Sequence, residues 1–247
     1  MNRCDSAARR IKIAGIDNPS GKDLTQVDDQ SEFSREIHRL FIEIRPQKII
    51  ETGTYHGSGT TRIIARALKD LGIENSTFYS IEIDPRNCII AAENLRVAGL
   101  LGYVRLVNGV SIPREALPSR EEIQEYTVDN IEFDDIFVDH QASERALLYH
   151  RETAFDDVPD DLLGNCLKEF DHRPDFVLLD SAGHIGYAEF VYLITKISAS
   201  AYIALDDIFH IKHRKSFELV KSDPRFDIRV TSGEKFGFCI ARFNPEA

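Results

Sequence analysis

Two carboxylates and three glycines at strand-to-helix spacing carry the first chemical signal in this chain. In Lys48-Ile-Ile-Glu-Thr-Gly-Thr-Tyr-His-Gly-Ser-Gly-Thr-Thr61 an apolar run reaches Glu51, glycines follow at Gly53, Gly57 and Gly59, and a helical pattern begins at once. Glycine lets a main chain approach a ligand closely, and a new helix offers unpaired N–H groups. One strand later, Phe78-Tyr-Ser-Ile-Glu-Ile-Asp84 brings Glu82 to a second strand end, where it could accept hydrogen bonds from two ribose hydroxyls. The pair predicts a site for a nucleoside-bearing cofactor. His184 and His210 each follow carboxylates at expected strand ends and are candidates for a general base. No compact ligand cluster accompanies them, which disfavours zinc.

The elements that must position these residues follow from periodicity. Phe33, Ile37, Leu40, Phe41 and Ile44 recur at spacings of three and four, predicting a helix over 31–44 that Pro46 ends. Strands are then expected at 48–53, 77–83, 103–109, 175–181 and 202–207. They alternate with helices at 58–71, 86–98, 114–126, 186–198 and 212–222. That alternation predicts a mostly parallel, doubly wound sheet covered on both faces. The runs 226–231 and 236–243 are joined by only four residues, too few for a parallel crossover, so they form an antiparallel hairpin. The expected architecture is a Rossmann-like α/β domain with a seven-stranded sheet, spanning 31–247 behind a polar leader at 1–30. The long connection 111–174 reads as an acidic insertion over the carboxyl ends of the strands, with an added strand near 131–138 and a helix near 141–150. The leader's Gly15-Ile-Asp-Asn-Pro-Ser-Gly-Lys-Asp23 misses the phosphate-loop spacing and is rejected.

Composition narrows the function classes. The formal charge is −11, and residues 115–172 hold 17 acidic against 4 basic side chains, which would repel a polyanion. Nucleic acid is therefore not an expected partner, and no apolar run is long enough to span a membrane. The acidic stretch could instead attract a cationic, amino-sugar-like small molecule. Four scattered cysteines suggest reduced thiols and a cytoplasmic setting. The oligomeric state stays open, homo-oligomers included.

These residues resemble the class I S-adenosylmethionine-dependent methyltransferases, and within them the metal-dependent small-molecule O-methyltransferases. The acidic-x-Gly-x-x-x-Gly pattern of that family falls on Glu51, Gly53 and Gly57, and its ribose-binding acid on Glu82. Catechol-type members carry a tyrosine where Tyr55 stands. The resemblance implies that Ile83 packs on the adenine and that Gly109-Val-Ser111 supplies the adenine-side Gly-x-Ser. Thr54, Ser58, Gly59, Thr60 and Asp180 complete the implied S-adenosylmethionine contacts. It also implies a metal set of Asp180, in Val-Leu-Leu-Asp-Ser-Ala-Gly-His184, with Asp206 and Asp207, in Ile-Ala-Leu-Asp-Asp-Ile208. Catechol-type enzymes place a catalytic lysine three residues after the first Asp, where this chain has Gly183. The Asp-x-x-x-His spacing and the paired Asp are closer to the sugar and antibiotic branch.

Three carboxylates at one rim repel one another, and a hard divalent cation such as magnesium would resolve that conflict. The expected reaction is methyl transfer to a small-molecule hydroxyl, with Asp180, His184 and His210 as the catalytic candidates. Two alternatives stand beside it. A nicotinamide-binding oxidoreductase would want a third glycine where Arg62 sits. A non-catalytic module that retains the fold but transfers nothing is the other, and the intact Glu51, Gly53, Gly57 and Glu82 argue against decay of the cofactor site.

Overall fold

The computed structural model describes residues 30–129, 147, 149, 151, 153–181 and 183–246. Apart from Gln30, the expected leader with its rejected phosphate loop lies outside these residues, as does the expected strand at 131–138. Of the expected helix at 141–150 only residues 147 and 149 are described, and both are helical.

The chain alternates as predicted. Helix α1 (Glu32–Ile44) leads into β1 (Lys48–Thr52), α2 (Thr60–Asp70), β2 (Thr77–Glu82), α3 (Pro85–Val97) and β3 (Arg105–Asn108). Then come α4 (Arg120–Asp129), α5 (Leu162–Glu169), β4 (Phe176–Leu179), α6 (Ile185–Lys196), β5 (Ala201–Asp206), α7 (Arg214–Ser222), β6 (Phe226–Ser232) and β7 (Phe238–Phe243). The sheet order is β3-β2-β1-β4-β5-β7-β6, with β7 antiparallel to both of its neighbours and the remaining pairs parallel. The order reverses between β1 and β4, and open α/β sheets bind ligands beyond such a switch point.

Alternation along each strand divides the core in two. Ile50, Val177, Leu179, Ile203 and Leu205 pack against α5, α6 and α7 on one face. Ile49, Phe176, Leu178 and Ala204 pack against α1 and α2 on the other. A buried strand of this kind presents apolar side chains both ways, which is why β4 is the uninterrupted run Phe-Val-Leu-Leu.

Local chemistry sets the helix starts. Ser31 caps α1 by accepting from the Ser34 amide at 3.0 Å. Asp84 caps α3 with Pro85 in the first turn. The fourth helix begins later than its predicted residue 114: Arg114–Ala116 is a single 3-10 turn. After Pro118 the chain re-enters a helix through a reciprocal capping box. The Ser119 amide donates to Glu122 Oε2 at 2.7 Å, and the Glu122 amide donates to Ser119 Oγ at 3.2 Å.

The acidic connection also contains an unpredicted helix, α5. Its Leu163, Cys166 and Leu167 are buried in the core beside β1 and β2. The C-terminal part of the expected insertion is thus the regular crossover from β3 to β4.

Candidate functional site

The carboxyl ends of β1, β2, β4 and β5 meet at one rim. Gly53 leaves β1 with φ +88°, and a Cβ there would lie 2.3 Å from the Asp180 carbonyl oxygen. No other residue could let the β1 and β4 tips touch in this way. The Asp180 amide donates to the Thr52 carbonyl at 3.0 Å, and Thr60 Oγ1 donates to Asp180 Oδ2 at 3.0 Å. The glycine loop is therefore stitched to β4 at its entry and at the start of α2.

On the other side the loop is stitched to β2. Glu82 Oε2 accepts from the Tyr55 amide at 2.7 Å, and Oε1 accepts from the Asp84 amide at 2.9 Å. Burial raises the Glu82 pKa, opposed by these backbone donors. Tyr55 takes a left-handed backbone (φ 49°) and stacks its exposed ring on His56 at 3.8 Å. Asn108 at the end of β3 donates to the carbonyls of Glu82 and Ile83 at 2.8 and 2.9 Å, which fixes the backbone of Ile83. Gly57 turns with φ +64° against Ala91 of α3, Ser58 follows in the loop, and Gly59 is the residue that opens α2.

Glu51 lies beneath this loop and is fully buried. Its Oε2 accepts from Thr61 Oγ1 at 2.6 Å and Ser80 Oγ at 2.5 Å, while Oε1 has no hydrogen-bond partner among the described residues. Desolvation carries its pKa up to about 7, against the hydroxyls of Ser80, Thr61 and Thr60. An acceptor buried without a partner is costly unless a ligand satisfies it.

Asp180, Asp206 and Asp207 also come together, each offering a carboxylate oxygen within 4.8 Å of the others. Consecutive strand residues point to opposite faces, so Asp206 and Asp207 can converge only if the chain turns. It does: Asp207 adopts a left-handed conformation with φ 58°. Burial pushes the Asp206 carboxyl well above its usual range, and Asp180 and Asp207 add to the rise.

The triad is not uncompensated, however. Lys212 Nζ lies 2.6 Å from Asp180 Oδ1 and 2.8 Å from Asp207 Oδ2, with its side chain 5% exposed. Burial alone would favour the neutral amine, but Asp180, Asp207 and Asp206 together outweigh it and hold the lysine above its ordinary range.

His184 sits at the N-cap of α6, with the Tyr149 ring edge-on at 6.1 Å. His210 is turned toward its own loop, where Nδ1 accepts from the Lys212 amide at 3.3 Å. Ser111 is buried and donates to Glu189 Oε1.

No family model matches the chain. Catechol O-methyltransferase B of Danio rerio is 33% identical over 98 residues, which is 40% of this chain. The match spans 33% of the length of that curated relative. Among solved structures, a methyltransferase from Geobacter sulfurreducens aligns with TM-score 0.53 at 14% identity, covering 89% of this chain and 81% of its own. The Bacillus cereus O-methyltransferase in complex with SAH aligns with TM-score 0.52 at 15% identity, covering 88% and 83%. TomG, a Streptomyces achromogenes O-methyltransferase of tomaymycin synthesis in complex with SAM, gives 0.50 at 15% identity, over 86% and 79%. The chain has the Rossmann-like methyltransferase fold.

Within this methyltransferase fold two site residues escape the sequence analysis. Glu189 of α6 is fully buried and accepts from Thr52 Oγ1 at 2.8 Å, from Ser181 Oγ at 2.8 Å and from Ser111 Oγ. One carboxylate thereby ties together residues at the ends of β1, β3 and β4, and burial pushes its pKa up to about 6. Its signal was available, because an acid at 189 falls on the helix stripe of Ile185, Phe190, Leu193 and Ile194. The sequence pattern places Lys212 at the start of a helix, but α7 begins at Arg214 with His213 as its N-cap, leaving Lys212 in the preceding turn. Its pairing with Asp180 spans 32 residues and leaves no local pattern.

Proposed function

We propose that this protein is an S-adenosylmethionine-dependent O-methyltransferase acting on a hydroxyl of a small molecule such as a sugar, an antibiotic or another natural product. The observation that carries the proposal is the cradle of Gly53, Tyr55 and Glu82 above the unpartnered Glu51 Oε1. The Bacillus cereus and Streptomyces achromogenes neighbours, which hold SAH and SAM, add support through the shared fold.

When bound, S-adenosylmethionine supplies an activated methyl group on a cationic sulfur. Glu82 would accept from the ribose hydroxyls, with the greater free capacity at Oε2, which takes one donor from Tyr55, whereas Oε1 accepts from the Asp84 amide and at 3.4 Å from Asn87 Nδ2. Glu51 Oε1 would accept from the amino group of the cofactor's amino-acid end. The loop of Thr54, Tyr55, Gly57, Ser58, Gly59 and Thr60 would line the cofactor, with Ile83 beside the adenine. By holding donor and acceptor in line, these residues could contribute roughly 7–11 kcal/mol of barrier reduction. His184 is the proposed base for the acceptor hydroxyl, a role worth about 10²–10⁴-fold. His210 is the weaker candidate, because its Nδ1 already accepts a backbone hydrogen bond.

The three carboxylates suit magnesium in ligand type and mutual distance. Asp180, Asp206 and Asp207 would hold the ion, which would act as a Lewis acid on the acceptor hydroxyl. The acidic stretch 115–172 would favour a cationic acceptor.

Calorimetric titration with S-adenosylhomocysteine tests the proposal. Binding by the parent and a loss of ~10-fold or more in Glu82→Ala, with unchanged circular dichroism, is the expected result. No binding at millimolar ligand would refute it.

A further inference from the structure

Lys212 occupies the position where a divalent ion would compensate the triad. Its Nζ contacts Asp180 Oδ1 and Asp207 Oδ2, two of the three carboxylates available to a metal. A magnesium ion takes carboxylate oxygens at about 2.0–2.1 Å. An ion on those same two oxygens would lie almost against an ammonium that is itself 2.6 and 2.8 Å from them. Like charge and overlap both forbid that arrangement.

The lysine is not placed there by a loose surface loop. Its backbone is pressed onto α6 at Gly186, where a Cβ would meet the Lys212 carbonyl oxygen at 2.7 Å and Lys212 Cγ at 2.9 Å. The Lys212 amide donates to His210 Nδ1 at 3.3 Å, and Ile208, Ile211 and His213 around it are buried. The stem is therefore anchored at its root, and its two ion pairs hold the ammonium at the end of four rotatable bonds. Burial lowers the pKa of Lys235 in the β6–β7 turn, opposed by the charges of Asp206, Asp207 and Asp180.

We propose that Lys212 is a tethered counter-cation that competes with divalent metal for Asp180, Asp206 and Asp207, so that an ion enters only as the lysine leaves. The inference rests on the metal reading given under Proposed function and adds a residue that controls it. In the metal-free protein the lysine keeps the β4 and β5 tips together against carboxylate repulsion. With metal bound, the ammonium is released toward solvent.

The test is a titration with Mn2+, followed by loss of the free-ion electron paramagnetic resonance signal, on the parent and on Lys212→Met. The variant is expected to bind Mn2+ at least ~10-fold more tightly, since it no longer has to give up an internal ion pair. Equal or weaker binding by a folded variant, or binding by neither protein, overturns the proposal.

A second measurement uses the unmodified protein, in case Lys212→Met does not fold. Amine acylation read by mass spectrometry should find Lys212 protected without metal and labelled at saturating Mn2+. Mn2+ binding with Lys212 still protected overturns the proposal equally. Titration of the parent with S-adenosylhomocysteine separates the two readings. Cofactor binding with no lysine–metal competition sinks only this inference, whereas absent cofactor binding sinks the proposed activity.

Discussion

Glu51→Gln should make the cofactor-free protein more stable and the cofactor complex weaker. Glu51 is fully buried, and one of its oxygens has no partner among the described residues. Carrying an acid from an ordinary 4.5 to about 7 corresponds to ~3 kcal/mol against the ionised form. The unfolded chain titrates Glu51 near its ordinary value, so between 4.5 and about 7 the folded protein binds the extra proton. Stability therefore falls as pH rises through that window, and the deficit is complete above it. Glutamine keeps an acceptor for Thr61 and Ser80 but carries no charge. The substitution should stabilise the protein by about 2–3 kcal/mol at pH 8, and the gain should shrink toward zero below about pH 4.5. Urea unfolding of parent and variant across pH 4.5–8 measures the difference directly. The same variant should lose ~10-fold or more in S-adenosylhomocysteine affinity, because the buried acceptor for a cationic group is gone. A stabilisation that is identical at pH 4.5 and pH 8, or no stabilisation at pH 8, would refute the assignment of a strained buried carboxylate.

Three further outcomes follow from the same geometry. Gly53→Ala would set a Cβ 2.3 Å from the Asp180 carbonyl at φ +88°. It should destabilise by about 1–3 kcal/mol or more, read by denaturant unfolding, and abolish cofactor binding by calorimetry; near-parent values for both would contradict the contact between strand tips. Glu189→Ala removes the acceptor of Thr52, Ser111 and the half-buried Ser181, and about 1–3 kcal/mol should be lost for each of the buried hydroxyls of Thr52 and Ser111 left unpaired. A loss under 1 kcal/mol in urea, well below that roughly estimated range, would show that these hydroxyls find other partners. His184→Ala should lower turnover of an identified acceptor by about 10²-fold or more while leaving cofactor affinity unchanged, and an unaltered pH–rate profile would remove it as the base.

The fold was legible because backbone demands repeat along the sequence. Strands buried on both faces need continuous apolar runs, and Phe-Val-Leu-Leu at 176–179 could serve nothing else. The short link between Phe226–Ser232 and Phe238–Phe243 left only a hairpin. What was misplaced involved local caps with no hydrophobic period: α4 waits for the Ser119–Glu122 box, and α5 is too short at 8 residues to announce itself inside an acidic stretch.

The site divides along the same line. Gly53, Tyr55 and Glu82 are readable because a turn, a strand end and a main-chain approach each restrict the residue type. Asp180, Asp206 and Asp207 were readable as strand-end acids, but their electrostatic state was not. Counting charges along the sequence treats the triad as bare. The fold, however, lowers Lys212 from the turn before α7 onto acids that lie five and 32 positions earlier. Its route depends on a missing side chain at Gly186 in a different element. No window of sequence contains both halves of that contact. A motif can therefore give the ligands of a cation without saying whether the chain already supplies one. For carboxylate clusters at strand ends, that question turns on the loops after the neighbouring strand, where one lysine with an anchored root can neutralise two acids without any ion from solvent.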